Sequence, residues 1–119
     1  MYSIKVEGDF SSAHNLRGYK GKCEALHGHN WKVEAVVKGS KLDKCGMLVD
    51  FKLLKTKLYA ILDELDHTYL NDIPYFKKVN PTSESLAKYV YDRLKAGGLK
   101  AGSVTVWESE KSSATYYAE

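Results

Sequence analysis

The chain has 119 residues, a formal net charge of +3, four histidines and two cysteines. That length suits one domain, residues 1–119, with room for a real core but not for a second one. No apolar run approaches the ~20 residues of a membrane span, and the opening MYSIKVEGDF lacks the apolar stretch of a secretion signal. The basic residues are scattered, so neither a membrane nor a nucleic acid is indicated. The expectation is a cytoplasmic protein whose mild positive charge suits a small polyanionic substrate. Cys23 and Cys45 are too few and too widely spaced for a disulfide framework or a CxxC knuckle, and both read as free thiols.

In chain order, Ile4, Val6, Phe10 and Ser12 alternate with Lys5, Glu7, Asp9 and Ser11, which predicts a strand ending near His14. A Gly-punctuated basic loop, Asn15 to Leu26, follows. Alternation resumes at His27, with His29, Trp31, Val33, Ala35 and Val37 on one face and Asn30, Lys32, Glu34 and Lys38 on the other. KGSKLDKCG breaks this strand. Phe51, Leu54, Leu58, Ile61, Leu62 and Leu65 then recur at helical spacing. DHTYLNDIPYFKKVNPT reads as a loop. Thr82 predicts the N-cap of a second helix through Leu94, and Gly97-Gly98 its end. SVTVWES and ATYYAE predict two closing strands, giving the order β-β-α-α-β-β.

CEALHGHNW, Cys23 to Trp31, concentrates chemistry. His27 and His29, at i and i+2 of a strand, leave the same face about 6.6 Å apart and can converge on one cation. Antiparallel pairing across the Asn15–Leu26 loop brings His14 to the same place as a third imidazole. Three histidines without a fourth protein ligand are the pattern of a catalytic zinc, which keeps one position open. A thiol such as Cys23, near a dication, has its pKa lowered from about 8.5 and can act as base or nucleophile. Asp66 and His67 are adjacent, so in extended chain they diverge; in a loop the carboxylate can orient the imidazole for proton transfer. Glu108 occupies a strand position, which by itself suggests an ordinary exposed acid.

C-x3-H-G-H with an upstream strand histidine, GMLVDF before the first helix, LDH after it, PTSE opening the second and WES on the third strand together resemble the 6-pyruvoyltetrahydropterin synthase / 6-carboxytetrahydropterin synthase family. The resemblance spans nearly the whole chain and is closest to the carboxytetrahydropterin synthase branch, which serves queuosine and related deazapurine synthesis. It implies a tunnelling fold, α+β, in which two hairpins form a four-stranded antiparallel sheet with both helices on one face. It further implies trimers joined edge to edge and stacked into a homohexamer, with active sites at subunit interfaces. His14, His27 and His29 match the Zn2+ ligands, and Cys23 the catalytic thiol. Asp66 and His67 match a proton-transfer pair that serves a neighbouring subunit's site. Glu108 matches the acid that grips the guanidine-like edge of the pterin. Thr82 and Ser83 match positions lining the pterin pocket, and Phe51 a residue packing on it.

The implied reaction converts 7,8-dihydroneopterin triphosphate to 6-carboxy-5,6,7,8-tetrahydropterin, acetaldehyde and triphosphate. Arg17, Lys20 and Lys22 are candidates to meet the triphosphate. Glu24 directly follows Cys23, so the same stretch also reads E-x2-H-G-H. That form resembles a branch in which glutamate replaces the thiol and the product is 6-hydroxymethyl-7,8-dihydropterin, a folate precursor. A folate-route or bifunctional enzyme, or a 6-pyruvoyltetrahydropterin synthase, are therefore alternatives. A zinc-stabilised binding module without turnover is the alternative from a different class.

Overall fold

A computed structural model describes residues 1–21 and 24–118. Two 13-residue strands, β1 (Tyr2–His14) and β2 (His27–Gly39), pair antiparallel along their whole length, from Tyr2 opposite Gly39 to His14 opposite His27. β3 (Ser103–Ser109) pairs with β2, and β4 (Ser112–Tyr117) with β3, so the sheet runs β1-β2-β3-β4 and is antiparallel throughout. β4 starts two residues before the predicted ATYYAE. Glu110 and Lys111 alone make the β3–β4 turn, and Ser112 is already opposite Ser109.

Period-two alternation decides which face is covered. Val6, Phe10, Trp31, Val33, Ala35, Val37, Val104 and Val106 are buried on one face, while Lys5, Glu7, Asp9 and Lys32 lie on the other. Helices α1 (Phe51–Leu65) and α3 (Ser83–Ala96) cover the apolar face. α1 begins at Asp50, whose carboxylate accepts the Lys52 N–H at 2.8 Å. Beyond the Asp50 cap its first turn has no acidic residue and its last no basic one, so further charges worth ~0.3–1 kcal/mol each are absent. Burial of Leu54, Leu58, Ile61, Leu62 and Leu65, at ~1.5–3 kcal/mol per side chain, outweighs that omission. α3 is capped as the sequence predicts: the Thr82 hydroxyl accepts the Ser85 N–H at 3.1 Å, and Gly98, at φ 90°, turns the chain away after Gly97.

The segment between the long helices is not all loop. It contains a single 3-10 turn, Leu70–Asp72, and a five-residue helix, α2 (Pro74–Lys78). Pro74 opens α2, where its missing N–H costs nothing, and the fully buried Phe76 pins it to the core. No helix among the described residues is long and apolar enough to cross a membrane.

α1 crosses β1 at Gly8, where a Cβ would stand 2.7 Å from Leu62 Cδ1 and 2.8 Å from Tyr59 Cε1. Gly8→Val forces these side chains aside, with an expected loss of about 1–3 kcal/mol. Urea unfolding measures it; an unchanged midpoint would show that α1 does not press on β1 there.

Candidate metal centre

The β1–β2 register places Ser12 opposite His29 and His14 opposite His27 at the open end of the covered face. The three imidazoles stand edge to face, with ring centroids 4.5 to 5.1 Å apart. Trp31, fully buried, forms their floor. It meets His14 and His29 edge-on at 4.9 and 5.1 Å, stacks on Phe10, and donates its indole N–H to the Ser12 carbonyl. Glu108 closes the group, and one ligand atom from each of His14, His27, His29 and Glu108 lies within 4.8 Å of the others.

The hydrogen bonds define the protonation pattern. His14 Nδ1 lies 2.7 Å from the Pro81 carbonyl and His27 Nδ1 2.8 Å from the Ala25 carbonyl. Carbonyls only accept, so both Nδ1 atoms carry a proton, and in the neutral ring Nε2 is then the lone-pair donor. Those two Nε2 atoms are 3.0 Å apart. Among the described residues His29 Nε2 is buried without a hydrogen-bond partner; Glu108 Oε1, 3.1 Å away, is not aligned to accept from it. In neutral rings two Nε2 lone pairs at this distance repel unless a proton or a metal cation lies between them. Burial, above all, pushes the His14 and His29 pKa values below the ordinary imidazole range, with the Pro81 carbonyl opposing it at His14 and the Glu108 carboxylate at His29. The neutral form is the one a metal binds. The donor set therefore fits a divalent ion that accepts imidazole nitrogen.

Glu108 belongs to the histidine cluster rather than to the exposed surface that its strand position alone suggests. Val104, Val106 and Glu108 share the covered face, and pairing becomes irregular between Trp107 and Ser109, a bulge that aims the carboxylate at His29. The sequence signal was the Val-x-Val-x-Glu alternation.

Asp66 and His67 lie on the opposite edge of β1. After α1 the chain turns through His67 at φ 54°, in the left-handed region, which lets the adjacent side chains meet: Asp66 Oδ2 is 2.9 Å from His67 Nδ1. The other carboxylate oxygen accepts the Ser11 N–H at 2.8 Å. His67 N–H donates to the Ser11 carbonyl, Ala13 N–H to the Thr68 carbonyl, and Tyr69 bridges Ala13 in parallel, so this turn extends the sheet beyond β1. His67 is 81% exposed and is not part of the cluster.

Thr82 caps α3 and Ser83 is buried, both directly after the carbonyl that binds His14. Phe51 is half-exposed and borders a groove with Tyr2, Ile4, Leu42 and Met47, at the end of β1 remote from His14. Twelve residues at ~3.3 Å separate the ends of β1 by roughly 40 Å, so one chain does not bring Phe51 to the histidines. Glu24 is exposed, and the Arg17 guanidinium already donates to the Phe76 carbonyl at 2.6 Å. Lys20 is exposed, while Cys23 and Lys22 lie outside the described residues.

Fold and site define a small α+β protein with an imidazole-rich centre at the end of a four-stranded sheet. The family model for 6-pyruvoyl tetrahydropterin synthase matches residues 3–119. The chain is 36% identical to 6-carboxy-5,6,7,8-tetrahydropterin synthase of Synechocystis, covering 99% of this chain and 95% of the relative. It is also 36% identical to 6-pyruvoyl tetrahydrobiopterin synthase of Dictyostelium discoideum, covering 71% and 72% respectively. The structure of Caenorhabditis elegans 6-pyruvoyl tetrahydropterin synthase superposes with a TM-score of 0.90 at 30% identity, covering 99% of this chain and 96% of that one. The chain belongs to the 6-pyruvoyl tetrahydropterin synthase family, and its sheet and helices form the tunnelling fold expected from the sequence motifs.

The Ser11 N–H, followed by His67, holds the Asp66 carboxyl below the usual carboxylate range. A folded-state pKa below the unfolded one contributes stability above about pH 4, and this is lost as pH falls through the folded value. Asp66→Asn is therefore expected to lower the denaturation midpoint at pH 7, with the gap to the parent narrowing as pH falls below about 4. A gap that does not narrow would remove the carboxylate charge as the cause.

Proposed function

We propose that this protein is a zinc-dependent 6-carboxy-5,6,7,8-tetrahydropterin synthase, acting in the cytoplasm on 7,8-dihydroneopterin triphosphate within queuosine or related deazapurine synthesis. The observation that carries this reading is the set of three converging imidazoles, with the Nε2 atoms of His14 and His27 3.0 Å apart. The Synechocystis relative, matched over nearly its whole length, supports the choice of branch.

His14, His27 and His29 would hold Zn2+, with the Pro81 and Ala25 carbonyls orienting the His14 and His27 rings through Nδ1. Zinc supplies Lewis acidity toward side-chain hydroxyls of the substrate, favouring proton loss at the adjacent carbons. Glu108 accepts paired N–H bonds from the guanidine-like edge of the pterin, a match two carboxylate oxygens make well. Thr82 and Ser83 line the ring pocket, and Phe51 packs on the ring from a neighbouring copy. Cys23 as thiolate removes a proton. His67, held by Asp66, transfers another, and its position across β1 from its own histidines supports service to a neighbouring copy. The free edges of β1 and β4 support an edge-to-edge trimer, stacked as a hexamer. Arg17, Lys20 and Lys22 are proposed to face the triphosphate. Glu24 carries a minor cleavage to 6-hydroxymethyl-7,8-dihydropterin.

Purified protein incubated with 7,8-dihydroneopterin triphosphate is expected to yield 6-carboxytetrahydropterin by mass, with about one zinc per chain. His29→Ala loses both metal and turnover, whereas Glu108→Gln keeps the metal and raises KM. Cys23→Ala abolishes the carboxy product, by at least ~10²-fold, and leaves the hydroxymethyl product; Glu24→Ala does the reverse. Stoichiometric zinc with no turnover of any pterin would favour the binding-module reading instead. On assembly, sedimentation is expected to show a trimer or hexamer, and inactive Cys23→Ala and His67→Ala proteins regain activity when their subunits exchange. A fully active monomer would end the shared-site reading.

A further inference from the structure

His14 is the most deeply buried of the three imidazoles, 1% exposed, and it is the last residue of β1. Past the His14–His27 pair the chain leaves the β1–β2 ladder, yet its backbone groups are not left without partners. Asn71 accepts the Asn15 N–H at 3.0 Å through Oδ1 and donates through Nδ2 to the Asn15 carbonyl at 2.9 Å. Two residues on, Asn80 repeats the pattern: Oδ1 accepts the Arg17 N–H at 3.0 Å and Nδ2 donates to the Arg17 carbonyl at 2.8 Å. A carboxamide offers one acceptor and one donor, as the peptide groups of a neighbouring strand do, and only one orientation of each amide satisfies both bonds. The i, i+2 spacing of Asn15 and Arg17 is that of successive paired residues on one strand edge.

The same segment also reaches the ring. Pro81, directly after Asn80, gives its carbonyl to His14 Nδ1 at 2.7 Å. Asn71 is buried, 6% exposed, and the Tyr69 hydroxyl bonds the Asn15 side chain beside it. On the other side of His14, Ala13 is held by the Thr68 carbonyl. Residues 68–71 and 80–81 thus grip the chain before His14, the chain after it, and the imidazole itself.

We propose that Asn71 and Asn80 are positioning residues for the metal centre. By continuing strand pairing past His14 they lock its rotamer and keep Pro81 at Nδ1, and so set how tightly the dication is retained. The proposal rests on the zinc reading above. It concerns hydrogen bonds at one remove from the ligands, where loss of a partner typically weakens metal binding ~10–100-fold.

The test measures zinc release from purified zinc-loaded protein into excess chromogenic chelator. Asn80→Ala and Asn71→Ala are expected to release zinc roughly 10–100 times faster than the parent. Asn80→Asp, which keeps the acceptor for Arg17 N–H and loses the donor to the Arg17 carbonyl, is expected to fall between, and it serves if the alanine variant does not fold. Ile61→Val weakens the α1 core away from this segment and is expected to leave release unchanged. Parental release rates in Asn80→Ala or Asn80→Asp would overturn the proposal. So would equal acceleration in Ile61→Val, which would make release a readout of general stability. A parent protein that binds no zinc would reject the metal reading itself, and this proposal with it.

Discussion

The site depends first on the register of one strand pair. β1 and β2 match residue for residue across thirteen pairs, and the last of these sets His14 beside His27. Side chains alternate faces, so a slip of one residue in β1 would send His14 to the face carrying Lys5 and Asp9 and would expose Val6 and Phe10. The apolar pattern and the imidazole pattern therefore reinforce each other: the core that fixes the register also brings the histidines together. Trp31 couples the two, since its ring completes the core against Phe10 and supports the imidazoles with its edge.

A second constraint acts at the outer edge of β1. An exposed strand edge invites unplanned pairing, and the turn after α1 occupies its last residues through Ser11 and Ala13. The Ser12 hydroxyl joins this patch, donating to the Leu65 carbonyl and accepting the Thr68 N–H. That turn carries Asp66 and His67, so one three-residue stretch of β1 supports the dyad on its edge and the imidazole cluster on its face. The Tyr59 hydroxyl bonds the Glu7 carbonyl on the same edge, and among the described residues the edge from Tyr2 to Lys5 stays open, as does that of β4. Assembly through these edges would cover them.

Much of this was legible in sequence because it is periodic or local. Alternation located β1 and β2, the Leu-rich spacing located α1, and Thr82 with Gly97-Gly98 bounded α3. The HGH spacing, together with hairpin pairing, placed all three imidazoles. What escaped were contacts between residues distant in the chain. Asn71 meets Asn15 across 56 residues and Asn80 meets Arg17 across 63, and an isolated asparagine in a loop carries no sign of such a partner. Pro81 acts through its carbonyl, which every residue type has. α2 is too short for periodicity to reveal. Glu108 was readable by parity with Val104 and Val106, but its aim at His29 comes from a bulge that composition does not announce. Phe51 stands at the far end of β1 because α1 runs parallel to that strand, from the Tyr2 end to Ser12.

The charge balance of the centre explains why an acid accompanies three imidazoles. Burial disfavours the charged forms of His14 and His29 and so leaves their ring nitrogens available as donors. A dication held there would bring a local charge of +2, of which Glu108 would cancel one unit. A fully neutral centre would need a second acid, and among the described residues the cluster has none. One unit of positive charge would then remain at the site. Such a centre would still attract an anionic oxygen, and that is consistent with a polyanionic substrate and with the mild positive charge of the whole chain.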